Sequence, residues 1–257
     1  MDPRGTTIFI VLPAYNAART LLRTLAEIPP EYRRNVILVD DASKDETVAV
    51  AQAAGLTVFR HERNRGYGGN QKTCYREALA AGADVVVMLH PDHQYDATMI
   101  PALVEPILRG EADAVFGSRM LGGRPLEGGM PRWKYVANVL LTALANLVFG
   151  RYLTEIHSGF RAYSRRYLET VPFEKNSEDF VFDTEIIAQG MMFGLNFREV
   201  PIVTRYFPEA SSINFRRSVV YGVGILKVLL RYQLHRSRWR RSQKLEPKTD
   251  LDLASFS

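Results

Sequence analysis

The chain has 257 residues, 46% hydrophobic and 24% charged with 13 prolines, enough for one large α/β domain or two small ones and neither disordered nor fibrous in composition. A single cysteine, Cys74, excludes an internal disulfide and a zinc ribbon and makes a reducing compartment the default. The net charge of +5 is local, because Arg231, Arg236, Arg238, Arg240, Arg241 and Lys244 form a run of six cations without an acid. A nucleic-acid binder spreads its basic charge over the fold, so no nucleic-acid partner is expected, whereas a basic segment beside an apolar one suits an anionic membrane surface.

The first residues carry no apolar leader, so no secretory signal is expected. From there the chain alternates β-rich runs (Thr7–Leu12, Asn35–Val39, Thr57–Arg60, Asp84–Leu89, Ala114–Gly117) with helical spacing (Ala18–Glu27, Thr47–Ala54, Gln71–Ala81, Met99–Arg109). Ser43 and Glu46 read as a capping box for the second helix, and Gly55 and Gly82 fall where helices end. Ile8–Leu12 and Val85–Leu89 are apolar throughout, as strands covered on both faces of a mostly parallel sheet are. The expected class is therefore α/β.

Leu121–Met130, rich in Gly and Pro, reads as a long mobile loop. Trp133–Phe149 returns to helical spacing, with Trp133, Val136, Leu140, Leu144 and Leu147 on one side and a narrow polar stripe of Lys134, Asn138, Thr142 and Asn146. Protein or lipid must cover so apolar a circumference. Its uncharged stretch, Tyr135–Gly150, falls short of the roughly 20 residues a spanning helix needs. A second amphipathic element carries Phe215, Val219, Val223, Leu226, Leu230 and Leu234, and the adjoining cations favour an interfacial helix lying on a bilayer. The expected division is a domain over 1–212, with a donor half to about 120 and an acceptor half beyond it. A basic amphipathic segment over 213–245 and a disordered tail over 246–257 follow.

In an open parallel sheet, ligands bind beyond the carboxyl ends of the strands. Polar motifs stand there: Pro13-Ala14-Tyr15-Asn16, Asp40-Asp41-Ala42-Ser43, Asn64-Arg65-Gly66-Tyr67-Gly68-Gly69-Asn70 and His90-Pro91-Asp92-His93-Gln94-Tyr95-Asp96. The glycines lack the dinucleotide spacing Gly-x-Gly-x-x-Gly. Further on come Gly117-Ser118-Arg119, Ser158-Gly159-Phe160-Arg161, Phe182-Asp183-Thr184-Glu185 and Glu199-Val200-Pro201-Ile202, then Arg205 and Ser211-Ser212.

In this order the motifs resemble the family 2 glycosyltransferases of GT-A fold, in the branch of dolichyl-phosphate mannosyltransferase and bacterial polyprenyl-phosphate glycosyltransferases. The resemblance implies a nucleotide-sugar donor, GDP- or UDP-linked, with Pro13, Tyr15, Asn16, Asp40 or Asp41, and the loop from Asn64 through Gly66 to Gly69 holding base and ribose. There glycine would permit close backbone approach. Ser158 and Arg161 join that set. Asp92 matches the second acid of the family's Asp-x-Asp motif, so Asp92 and Gln94 would hold Mg²⁺ or Mn²⁺ on the diphosphate. His90 stands where the first acid usually is and is carried as a third metal- or donor-facing residue. Arg119 and Arg205 would add positive charge beside the diphosphate and the acceptor phosphate.

A sugar hydroxyl acceptor calls for a carboxylate base, for which Asp96 and Asp183 are candidates, whereas a lipid phosphate is already anionic. Asp183 is equally suited to ordering Arg161, and Glu185 to an internal ion pair. The favoured expectation is inverting, metal-dependent transfer of a hexose to a polyprenyl or dolichyl phosphate by a cytoplasmic protein bound peripherally, as a monotopic protein, to the cytosolic face of the membrane. The alternatives are a soluble transferase acting on a saccharide or small molecule, and a catalytically silent nucleotide-binding scaffold.

Overall fold

A computed structural model describes residues 5–122, 125–205 and 215–248, without the side chains of Phe215 and Arg216. Ser211, Ser212 and the tail from 249 lie outside the described residues. Seven strands form one sheet in the order β3-β2-β1-β4-β6-β5-β7: β1 Ile8–Ala14, β2 Val36–Asp40, β3 Thr57–Arg60, β4 Val85–Met88, β5 Ala114–Ser118, β6 Arg161–Ser164 and β7 Phe197–Pro201. All neighbours are parallel except β6, which runs antiparallel between β4 and β5. The helices are α1 Leu21–Glu27, α2 Thr47–Ala53, α3 Gly66–Ala80, α4 Ile100–Leu108, α5 Arg132–Phe149, α6 Arg165–Thr170, α7 Phe182–Met192 and α8 Phe215–Arg236.

Every residue of β2, β4 and β5 is buried, which explains their unbroken apolar runs. One core lies on the sheet face carrying α3, α6 and α7, around Tyr75, Tyr163, Tyr167 and Phe182. The other lies under α1 and α4, around Leu21, Ile100 and Leu103. Gly55 and Gly82 have φ of 75° and 88°, the left-handed geometry expected just past a helix.

Two local expectations change. The capping box does not form: α2 starts without a side-chain cap from Glu46, Ser43 Oγ accepts from Asn16 N, and Asp45 accepts from Thr47 N. Helix α3 begins at Gly66 rather than Gln71, so much of the glycine-rich loop is helix. Asn70 fastens it to the strand ends by donating to Val39 O at 3.0 Å.

Helix α5 is turned the other way from a core helix. Its polar stripe faces inward: Asn138 donates to Glu155 Oε1 at 2.7 Å, Thr142 to Asn138 Oδ1 at 3.2 Å, and Asn146 exchanges bonds with Leu153 N and O. The apolar side faces out, with Leu140 64% and Leu147 79% exposed. Backbone polar groups of the Leu153–Glu155 segment need partners, and an Asn/Thr stripe supplies them where leucine could not.

Helix α8 divides its apolar residues. Ile225, Val228, Leu229 and Tyr232 are buried against the domain, while Val219, Val223, Leu226 and Leu230 face outward. The chain after it returns to the domain: Arg231 and Lys244 both contact the buried Glu185, at 2.9 and 2.6 Å, and Lys248 donates to Leu168 O. Glu185 is thus the internal ion-pair partner its position suggested. Two cations of the basic run serve the fold, and Arg236, Arg238, Arg240 and Arg241 remain exposed.

Candidate active site

The carboxyl ends of β1, β2 and β4 are each followed by a non-glycine residue in left-handed backbone: Asn16 (φ 53°), Ala42 (φ 58°) and His93 (φ 61°). Such conformations persist where the surroundings over-determine them, and they gather at functional sites. The first two loops brace one another, since Asn16 Oδ1 accepts from Lys44 N and Ser43 Oγ from Asn16 N. Tyr15 is half-exposed above them and Pro13 is half-buried in β1.

The two aspartates after β2 separate in role. Asp41 is spent on the fold, accepting from Arg65 N at 2.7 Å, Gly66 N at 3.0 Å and His61 Nδ1 at 2.7 Å. Asn64 joins it, donating to Asp41 O and accepting from Gly66 N. Asp40 is fully buried, and its Oδ2 accepts from Ser43 N while Oδ1 has no protein hydrogen-bond partner.

The glycines serve a backbone crossing within the protein. A Cβ on Gly66, whose φ is +82°, would stand 2.6 Å from Glu178 O, and one on Gly68 would overlap Ser177 O. Gly68 N and Gly69 N both donate to Glu178 O. The close approach expected of a donor is made by residues 177–179.

After β4, His90 is half-buried and packed against its neighbours. Its Nε2 lies 3.3 Å from Tyr67 OH, its ring stacks on Tyr67, and a Cβ on Gly159 would come within 2.7 Å of it. Burial holds its pKa below the ordinary histidine value, against the opposing pull of Asp92 and Asp183. Asp92 is half-buried, with Oδ1 accepting from Gln94 N at 3.1 Å. Gln94 is half-buried beside it, and its carbonyl accepts from Arg205 N. Asp96 caps the next turn by accepting from Thr98 N.

Each arginine comes with a carboxylate. Arg119 binds Glu155 through both its backbone N and its guanidinium, and Arg205 Nη1 reaches both oxygens of Glu27 at 2.8 and 2.9 Å. Arg161 is fully buried beneath the site, donating to Ser158 O and Ile156 O and pairing with Asp183 at 3.3 Å. Burial is the largest influence and opposes its charge, but Asp183, Tyr163 and Tyr67 together outweigh it and raise its pKa further. Asp183 also accepts from Tyr67 OH and Gln71 Nε2. Ser158 Oγ accepts from Phe160 N. Arg161 and Ser158 therefore build the floor with polar atoms spent on protein, and Asp183 has the ordering role. Glu27, Tyr67, Gln71, Glu155 and Glu199 were not singled out by sequence. Tyr67 and Glu199 lay inside quoted motifs, while no local pattern marked Glu27 or Glu155.

The sequence profile of glycosyl transferase family 2 matches residues 9–171, from β1 past α6. The chain belongs to this family. An uncharacterized protein of Methanocaldococcus jannaschii is 31% identical over 87% of this chain and 90% of its own length. The UDP-N-acetylglucosamine–dolichyl-phosphate N-acetylglucosaminyltransferase of Methanococcus voltae is 28% identical over 77% of this chain and 86% of its own. Among solved structures, glucosyl-3-phosphoglycerate synthase from Mycobacterium tuberculosis in complex with Mg²⁺ and uridine diphosphate superposes with a TM-score of 0.66 at 25% identity, covering 89% of this chain and 80% of that one. The protein is thus a family 2 glycosyltransferase of GT-A fold.

A divalent ion suits this glycosyltransferase site in one particular way. Among the described residues no group of three or more His, Cys, Asp or Glu side chains could hold a metal. Asp92 offers a single carboxylate, and Mg²⁺ is commonly held by one or two carboxylates with substrate phosphates and water completing the shell. His90 Nε2 is engaged by Tyr67. Asp92 is therefore the residue here that fits the ion.

His157 gives the family 2 domain a pH dependence. Burial pushes its pKa from 6.5 down to about 4, with Glu155 opposing and Arg119 and Arg161 adding to the fall. As pH drops from 6.5 towards 4, the unfolded chain takes up a proton that the folded chain refuses, so stability present above 6.5 is lost on acidification. The loss is about 2–3 kcal/mol. Urea unfolding at pH 7 and pH 4.5 should show that His157→Gln has lost this part of the slope. Parallel pH profiles for variant and wild type would disprove it.

Proposed function

We propose that the protein transfers a hexose from a GDP- or UDP-linked donor to a polyprenyl or dolichyl phosphate, with inversion, while lying on the cytosolic face of a membrane. The observation that carries this reading is the orientation of α5 and α8: both turn apolar residues outward, while their inward polar residues reach the segment that grips Arg119. Among the described residues no helix is long and apolar enough to cross a membrane, so these faces suit the interface. Arg236, Arg238, Arg240 and Arg241 would add attraction to an anionic leaflet.

The chemistry asks little of a base. A phosphate oxygen of the lipid attacks C1 of the sugar, the C1–O bond to the diphosphate breaks, and the electron pair leaves with the nucleoside diphosphate. The acceptor is anionic near neutral pH, which accords with Asp96 acting as a cap and Asp183 as a partner of Arg161. Mg²⁺ or Mn²⁺ held at Asp92, with Gln94 beside it, would neutralise the leaving diphosphate. Asp40, Tyr15 and Pro13 stand on the donor side of the site, with Tyr15 half-exposed. Arg119 and Arg205, each tied to a carboxylate, act as oriented hydrogen-bond donors more than as bare charges.

The test pairs labelled UDP- and GDP-hexoses and UDP-N-acetylglucosamine with polyprenyl monophosphate, a saccharide, or no acceptor, with Mn²⁺ or with chelator. Metal-dependent label in the organic phase is expected. Label found only in a water-soluble product would favour the soluble alternative, and neither transfer nor donor hydrolysis would leave the scaffold reading.

A further inference from the structure

The segment from Thr154 to Arg161 lies between the site and the two helices with outward apolar faces, and it is held from both sides. On the site side Glu155 grips Arg119, Gly159 N donates to Tyr95 OH at 2.8 Å, Gly159 packs against His90, and Arg161 clasps the carbonyls of Ile156 and Ser158. Glu199, on β7, anchors its start through Thr154 N and Glu155 N. On the helix side Asn138 of α5 donates to Glu155 at 2.7 Å, and Tyr221 of α8 is 3.1 Å from His157 Nδ1. Nε2 of His157 is buried without a hydrogen-bond partner. The two outer contacts fall two residues apart on one short strut.

We propose that Asn138 and Tyr221 are positioning residues through which seating of α5 and α8 on a lipid surface sets the place of Arg119 and of the 154–161 segment. This rests on the membrane reading above and adds to it a coupling between docking and the site. The physical ground is continuity. A fully buried carboxylate shared between Arg119 and Asn138 cannot release either partner without leaving a charge short of donors, so a shift of α5 carries Arg119 with it. Tyr221 imposes the same constraint on His157, whose ring sits next in chain to Ser158 and Ile156.

The measurement is amide hydrogen exchange of the full chain with and without anionic vesicles of phosphatidylglycerol and phosphatidylcholine that contain no acceptor, beside co-sedimentation with the same vesicles. In the wild type, vesicles should slow exchange at Thr154, Glu155, Gly159 and Phe160 by about five-fold or more, the low end of coupling between linked sites. Tyr221→Phe, which removes one hydroxyl, and Asn138→Leu should sediment as the wild type does yet lose most of that protection. They should also lose any vesicle stimulation of transfer to a ten-carbon prenyl phosphate. Sedimentation with unchanged exchange at these amides, in wild type or with full protection kept in Tyr221→Phe, overturns the coupling and leaves the membrane reading intact. Failure of the wild type to sediment at all overturns both.

Discussion

Asp92→Ala should abolish transfer while leaving the protein folded. The carboxylate is the fitting metal contact at the site, and losing charge neutralisation at a departing diphosphate is expected to cost about 10³-fold in kcat/KM, or about 4 kcal/mol. Its structural duty is slight: Oδ1 accepts one turn hydrogen bond from Gln94 N, worth about 1 kcal/mol. Activity with Mn²⁺, thermal unfolding, and calorimetric titration of Mn²⁺ into the protein with UDP together decide the matter. A variant that turns over normally would remove Asp92 from the metal. The reciprocal repair, His90→Asp, reads on sequence alone as restoring the family motif with tighter metal binding and undiminished activity. In the fold it would empty the space between Tyr67 and Gly159 and bring a carboxylate towards Asp183, so the structure argues for loss of stability instead.

Leu140→Glu with Leu147→Glu on α5, and Val223→Glu with Leu230→Glu on α8, should detach the protein from vesicles without unfolding it. All four side chains are exposed, so the native domain loses no core contact. Each leucine entering lipid contributes about 2 kcal/mol, so either pair should lower partitioning by at least about 100-fold. Arg236, Arg238, Arg240 and Arg241 act differently, since an attraction of about 1 kcal/mol each near an anionic leaflet is screened by salt. Their replacement by glutamine should remove the salt sensitivity of binding and leave the apolar part. Cutting the chain after Arg231 is a poorer experiment, because it also removes Lys244 from Glu185 and Lys248 from Leu168. If the glutamate variants co-sediment as well as wild type at low and high salt, the apolar faces of α5 and α8 are not the docking surface.

The α/β class, the placing of the polar motifs at strand ends and the family were legible in the chain, because they depend on period, on turn chemistry and on short ordered motifs. Apolar runs such as Val85–Leu89 have one environment available to them, and strand ends follow from strands. The assignment of duties within the motifs was not legible. Asp40 and Asp41 are equivalent as letters, yet one binds three donors from a distant loop and the other keeps an oxygen unpaired. Gly66 and Gly68 announce a close approach, but what approaches is Glu178 and Ser177, more than a hundred residues on. Arg161 looks like an anion ligand and is a buried tie between two carbonyls and Asp183. Helix α5 shows the limit most plainly. Its pattern of one apolar and one narrow polar side was readable, but which side faces protein depends on whether the surface it meets is apolar or full of unpaired backbone and carboxylate. Only the path of residues 153–155, brought beneath α5 by the sheet, supplied that surface and turned the leucines outward.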